Sequence, residues 1–498
     1  MNIIVVGSGP AGVSVAKGLL ERNCKVTLLD AGNILESEKQ ILLHEIQLNN
    51  HLADTDSLRY HANAKKKSKL PYGSNFIYKG VEDFFSWNTE NCRFQPSFAR
   101  GGLSNVWGGA IASYSVNELS DWPASCCDLS FYYSQIILWL EKYYTADTSS
   151  VLSQQAQYLK NNWEKRQSEL EKNGFSFRTA MLAVDFNRCR LCGACQYGCP
   201  YELIYHSSIH LAWLKQHPNF TYVNDAIVEN FSEHPNTVKL VVKHNKNKQS
   251  QQFFSDRLFI ACGAGLSSLL YLRSLNKPGK ELFLKDSQHF ILPCLINKKI
   301  KDVIKEPLHT LCQLKISLTQ KNISHYPAHL QLYTYMDLYS HEMKSKLKWL
   351  YPIAKPLLNA WLERLVIIQG YLDSKESNHL IIQYQTSGKF VIKTNNTMPV
   401  TSIIHNIVGY LKKHHDNLAL KPLRFLLWQS LTGQSNHIGS SLPMSDNPKE
   451  DEVDIWGRPC HFKRIHFVDG SILPSIPAGP ITLTIMANAY RIGKEGPL

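Results

Sequence analysis

The sequence predicts an α/β protein in which a parallel sheet with flanking helices is interrupted by a separate domain. Three observations carry this reading. A strand–glycine–helix–strand unit opens the chain, a second strand–glycine–helix junction follows Leu258-Phe259-Ile260-Ala261, and a third junction follows Ile465-His466-Phe467-Val468. Residues 276–430, between the last two, lack that glycine punctuation and mix strand-like with helix-like pieces. At 498 residues the chain exceeds what one compact core holds. The expected division is 1–275, carrying a cysteine-rich insertion at about 180–215, then 276–430, then a return to the first domain over 431–498.

The opening unit is the most informative. Ile3-Ile4-Val5-Val6 reads as a buried parallel strand. Gly7, Gly9 and Gly12 follow at G-x-G-x-x-G spacing. The first glycine allows a tight turn, the second lets a pyrophosphate approach the backbone, and the third lets helix pack on strand. Asp30 ends the next strand, where a carboxylate can accept ribose hydroxyls. Strand, glycines, helix, strand and acid in register predict a Rossmann-like site for an adenine dinucleotide. A glycine-rich turn in some other α/β unit is the bland alternative.

Residues 33–100 show no sustained period and include the basic run Lys65-Lys66-Lys67-Ser68-Lys69, expected to be a solvated loop. Gly101-Gly102-Leu103-Ser104-Asn105-Val106-Trp107-Gly108-Gly109 comes next, two glycine pairs that let backbone lie against a flat ligand. Leu129–Tyr144 has helical spacing, and 150–178 reads as a polar, exposed helix. Short strands are expected at Thr221–Val228 and Val238–Val242, and a helix at Leu266–Ser274. Met343, Leu347, Leu350 and Tyr351 share a helical face opposed to Lys344, Lys346 and Lys348. Such a face is ordinarily core; peripheral membrane contact is the sharper reading. A last helix opens near Thr482 and turns Leu483, Ile485, Met486 and Ala489 inward.

Cys189, Cys192, Cys195 and Cys199 have the spacing C-x2-C-x2-C-x3-C-P of bacterial ferredoxins. An iron–sulfur cluster is the first reading and four-thiolate zinc the second. No second cysteine run exists to take the fourth ligand, so a 4Fe-4S cluster completed by Cys199 or by a remote cysteine, and a 3Fe-4S cluster, both stay open. The chain begins inside its first strand, so no signal peptide is expected, and it lacks an apolar stretch of spanning length. A cytoplasmic protein with reduced thiols is expected, with peripheral contact at the inner membrane face as an option. The formal net charge of +13 fits an anionic partner or membrane face, but no nucleic-acid module accompanies it.

Taken together, residues 1–32, 99–123, 222–274 and 435–493 resemble the glucose–methanol–choline (GMC) oxidoreductases. The closing run Val468-Asp469-Gly470-Ser471-Ile472-Leu473-Pro474-Ser475-Ile476-Pro477 with Leu483-Thr484-Ile485-Met486 is the most specific part. The resemblance implies non-covalent FAD, because Val106 stands where some relatives attach flavin through histidine, and a second domain on a mixed or antiparallel sheet. It assigns Gly7, Gly9, Gly12 and Asp30 to the ADP half. It places Gly102, Ser104, Asn105 and Trp107 at the pyrophosphate and ring, and Val228 at the adenine through its backbone. Asp469 and Gly470 fall at the ribityl and phosphate portion, with the amides near Ile481 and Thr482 facing the ring. His437 falls at the catalytic base, and Asn436 is an assisting neighbour; the family's second catalytic position falls on Pro480, which has no side-chain donor or acceptor.

The family chemistry implied is alcohol oxidation: a base takes the hydroxyl proton while hydride passes from carbon to flavin. Certain sugar dehydrogenases of the family carry a cluster in this part of the chain. The expected function is therefore a sugar or glycoside dehydrogenase passing electrons through the cluster to an electron-transfer protein or quinone. A ketone reductase fed by a ferredoxin-like donor is one rival. A non-catalytic flavin and iron–sulfur relay subunit, kept in play by Pro480, is the other.

Overall fold

A computed structural model describes residues 1–49, 69–145, 148–336 and 348–498. Its first core is a five-stranded parallel sheet ordered Ile465–Phe467, Arg257–Ile260, Asn2–Val6, Lys25–Leu29, Phe220–Val223. Strands from both ends of the chain thus lie side by side, which is why junctions hundreds of residues apart in sequence share one edge. The unbroken Ile and Val of the first strand are buried, with helix Pro10–Leu20 and the strand Ser250–Ser255 packed near them. Helix Pro10–Leu20 packs against the C-terminal helix Thr482–Glu495 so closely that a Cβ on Gly18 would lie 2.7 Å from the Lys494 amide nitrogen.

The second core is an antiparallel sheet in the order Leu420–Pro422, His289–Ile296, Leu365–Tyr371, Ala328–Tyr333, Leu314–Leu318, Phe175–Thr179, with Trp428–Gln429 paired to His289–Ile296 as well. A further mixed sheet joins Ile438–Gly439, Glu281–Asp286, His379–Tyr384, Phe390–Asn395 and Trp87–Glu90. It ties the inserted region to the loop carrying His437. The α/β class with a parallel sheet and mixed or antiparallel companions is the observed architecture.

Local readings change in two places. The stretch 221–228 is not one strand: the chain turns at Asn224-Asp225, where Asp225 adopts a left-handed φ of 61°. Phe220–Val223 joins the parallel sheet, and Ala226–Glu233 starts an antiparallel three-stranded meander. The expected polar helix over 150–178 is two helices, Gln154–Lys165 and Gln167–Lys172, followed by strand Phe175–Thr179. It is not a solvated rod, since Leu159, Trp163 and Leu170 are buried in the second core. Three apolar side chains at helical spacing outweigh the polar majority because burial follows one face. Of the basic run, 65–68 lie outside the described residues, as do Met343, Lys344, Lys346 and Leu347. Among the described residues no helix is long and apolar enough to cross a membrane.

Candidate active site

A cavity of about 850 Å³ runs from the carboxyl ends of the parallel strands to the antiparallel sheet. This is where an open α/β sheet binds ligands, because the glycine turns and helix N-termini gather there. Its floor is built by the three junctions. Gly7 has φ 98° and approaches Ala261, where a Cβ would meet the carbonyl oxygen at 2.6 Å. At Gly12 a Cβ would lie 1.8 Å from the Gly7 oxygen, whereas at Gly9 it would meet nothing within 4 Å. Two of the glycines therefore exist for the protein's own packing and the third leaves room for something else. Gly102 lies against Gly9, and Gly263 (φ 83°) likewise faces open space.

Asp30 is buried just after strand Lys25–Leu29. Its Oδ2 accepts from Ser8 Oγ at 2.6 Å and Tyr222 OH at 3.0 Å. Burial outweighs those bonds and pushes its carboxyl up to about 6. Ser8 Oγ in turn accepts from the Gly101 amide at 2.9 Å, so the first glycine turn and the second are stitched together. Ser104 bonds Gly101 O and the Ser207 amide, and the Trp107 indole donates to Tyr205 O at 2.7 Å.

Gly7, Gly9, Asp30, Gly102, Ser104, Trp107, Val228, Asp469, Gly470, Ile481 and Thr482 all line the cavity, as do Asn436, His437 and Pro480. Two of the expected residues do not. Gly12 sits behind the wall as a packing residue, and Asn105 turns back to hold its own loop, donating to Arg100 O and Gly102 O. The Asp469 carboxylate is a clamp. It accepts from the Gly263 amide at 2.9 Å, Ser267 Oγ at 2.5 Å and the Ser471 amide at 2.9 Å, binding the second junction to the third.

At the other end, His437 is held from two sides. Its amide donates to Ser435 Oγ at 2.9 Å and its carbonyl accepts from the Ser287 amide at 3.0 Å. Ser435 donates to buried Asp286, which also accepts from the Gly433 amide at 2.7 Å. Asn436 adopts a left-handed φ of 60°, which asparagine tolerates. The His437 ring stacks on Tyr371 with centroids 4.7 Å apart, and His289 stacks on Tyr371 at 5.6 Å. Burial drives both imidazoles down to about 4. Their Nδ1 atoms are buried without a hydrogen-bond partner among the described residues.

Several lining residues have no local signature in the sequence. Ile291, Gln331, Tyr333, Ile367, Gln369 and Tyr371 come from three strands of the second sheet. Pairing sets Gln331 opposite Gln369 and Gln369 opposite Ile291. Period-two alternation marks each strand, but only the sheet register brings the side chains to one face. Lys69 also reaches the cavity, its ammonium 3.4 Å from Trp107 O and lowered to about 8 by burial.

None of the four clustered cysteines lines the cavity, although Gln196 within their loop does. The loop docks on 308–310: Cys192 bridges Leu308, Thr310 Oγ1 donates to Gly193 O at 3.2 Å, and Gln196 donates to Thr310 O at 2.6 Å. Burial first, and then neighbouring thiols of the same group, push Cys195 to about 12 and Cys199 to about 11. The thiols are thus neighbours. Yet among the described residues no group of three or more His, Cys, Asp or Glu is arranged to hold a metal ion. That placement does not fit a bound cluster.

Comparison with known proteins bears on both ends of the cavity. Residues 412–489 match the family model described as GMC oxidoreductase. The crystal structure of pyridoxine 4-oxidase from Mesorbium loti has the same fold, with a TM-score of 0.63, 12% identity, and 99% of this chain aligned to 98% of that one. No curated protein sequence gives a significant match.

Proposed function

We propose that the chain is an FAD-dependent oxidoreductase acting on CH–OH groups, a reading supported by the match of residues 412–489 to the GMC oxidoreductase model, and that this cavity oxidises the alcohol of a sugar or glycoside. The observation that carries the reading is a neutral, buried His437, fixed by its backbone, at the wall opposite a glycine-lined cradle. Gly9 and Gly102 supply the close backbone approach for the pyrophosphate, and Gly7 the tight turn beneath it. Asp30, through the oxygen not engaged with Ser8 and Tyr222, takes the ribose; Val228 borders the adenine. Asp469 and Gly470 hold the ribityl and phosphate portion, and the helix start at Ile481-Thr482 faces the ring, where a helix N-terminus favours negative charge. When bound, the flavin supplies a two-electron hydride acceptor.

His437 takes the hydroxyl proton on its unprotonated ring nitrogen, and the low pKa keeps that nitrogen free at neutral pH. Gln331, Gln369 and His289 orient the substrate's other polar groups, while Ile291 and Ile367 exclude water. His289 thereby supplies a second imidazole in a site where Pro480 cannot contribute a side-chain donor. We also assign the domain division at 275 and 431 to this reading, with 154–179 attached to the second unit through its sheet and core.

An iron–sulfur cluster on Cys189, Cys192, Cys195 and Cys199 delivering electrons to a protein or quinone rests on the cysteine spacing alone, since the placement of the thiols does not fit one. Iron and acid-labile sulfide in anaerobically purified protein test it; zinc, or no metal, discards it. The oxidation is tested by adding candidate sugars and glycosides anaerobically and following the visible flavin band. Bleaching is expected, with the rate reduced about 10²- to 10⁴-fold in His437→Ala. Bleaching by dithionite alone, with His437→Ala indistinguishable, supports the relay subunit and rejects the enzyme reading.

A further inference from the structure

The helix Tyr351–Leu362 leads into the cavity-lining strand Leu365–Tyr371, and its apolar side chains do not all face the protein. Trp349, just before it, and Ile353 and Leu357 are each 77% exposed. They recur at four-residue steps, and the next step is Trp361, which lines the cavity. One stripe thus starts in solvent and ends in the active-site wall. A second exposed pair, Phe425 (80%) and Leu426 (40%), lies beside strand His289–Ile296, where the Leu423 amide bonds the carbonyl of cavity-lining Pro293. Large apolar side chains this exposed, grouped beside a cavity, mark an interaction surface.

The charges around them say what kind. Lys348 and Lys355 flank the first stripe, and Lys421 and Arg424 flank the second pair. No Asp or Glu occurs in 348–362 or in 417–445; of the acids bordering them, Glu363 is ion-paired with Lys299 at 2.9 Å, Asp302 with Lys305 at 3.5 Å, and Asp416 lies 3.4 Å from His415. A protein partner specific for this patch would need no such uniform sign. An anionic bilayer needs both elements, apolar side chains to enter the acyl boundary and cations at headgroup level. We infer that Trp349, Ile353, Leu357 and Phe425 form a peripheral seat on an anionic membrane, with the cavity wall at Trp361 held close to the lipid surface. A glycoside with an apolar tail then reaches the cavity without crossing water. That last consequence rests on the alcohol-oxidation reading; the seat itself does not.

Co-sedimentation of the flavin-loaded full chain with vesicles tests the seat. Phosphatidylcholine vesicles containing phosphatidylglycerol are compared with pure phosphatidylcholine. Binding is expected to the anionic vesicles and to fall at least about tenfold on the pure ones, the scale of a few cations at a charged surface. The combined variant Trp349→Ser, Ile353→Ser, Leu357→Ser is expected to lose binding with the flavin spectrum and thermal midpoint unchanged. Should that variant misfold, Lys348→Glu with Lys355→Glu, which touches no apolar contact, is expected to lose the anionic preference alone. Wild-type protein remaining in the supernatant overturns the proposal. So does a serine variant that sediments normally, or one that instead dissociates a dimer, which would assign the stripe to a second copy. Vesicle binding by protein that no alcohol can reduce would leave the seat standing and reject the alcohol reading.

Discussion

Gly9 and Gly12 show how one motif divides its labour. A methyl at residue 12 has no space, so Gly12→Ala is expected to cost about 3 kcal/mol or more through overpacking. A side chain at residue 9 projects into the cavity, so Gly9→Val is expected to leave the thermal midpoint of flavin-free protein unchanged and to abolish flavin retention. Melting and absorbance on the two variants check this; a Gly9→Val protein that stays yellow contradicts it. These glycines were readable from sequence because only glycine fits the space at residue 12 and Gly9 belongs to the same G-x-G-x-x-G spacing after a buried strand. His289, Gln331 and Tyr371 were not, since nothing near them in the chain distinguishes them from ordinary strand residues. Asn105 shows the opposite failure: a motif position whose side chain serves its own loop and does not line the cavity.

At the scale of elements, the loop 433–437 is positioned by a strand from the inserted region. Asp286 ends strand Glu281–Asp286 and receives both Gly433 and Ser435, and Ser435 receives the amide of His437. Asp286→Ala removes the acceptor for two buried donors, each costing about 1–3 kcal/mol when left unpaired. The expected result is a fall in kcat of about a hundredfold, the scale of a misplaced catalytic group, with KM and flavin content little changed. A loss of flavin without a selective effect on kcat would make Asp286 a merely structural residue. The sequence displayed His437 but not this support, because residues 286 and 435 meet only through sheet pairing. Likewise the cysteine spacing was plain, whereas its docking on 308–310 depends on a contact more than a hundred residues away. The polar count of 150–178 hid an amphipathic pair of helices whose buried face is short.

Across the whole molecule, buried ionisable groups set the pH response. His210, His289, His309, His437 and His466 are held down to about 4 and His329 to about 3, burial being the main cause throughout. Unfolding raises these values toward about 6.5, so the unfolded chain binds more protons below that pH. Stability is therefore lost as pH falls from about 6.5 to 4. Buried Asp30 and Asp373, raised to about 6, and Asp286, raised to about 7, oppose this, since their neutral folded forms are favoured at low pH. Six histidines outweigh three carboxylates, and the thermal midpoint is expected to be lower at pH 5 than at pH 7 at equal ionic strength. An equal or higher midpoint at pH 5 would show that the carboxylates dominate.

The same whole-molecule view holds the central claim, that junctions from both chain ends enclose one dinucleotide. Gentle purification followed by denaturation and chromatography of the released chromophore measures it directly. The account predicts FAD, released without proteolysis, at close to one per chain. A folded protein that releases no FAD and takes none up on reconstitution would contradict it.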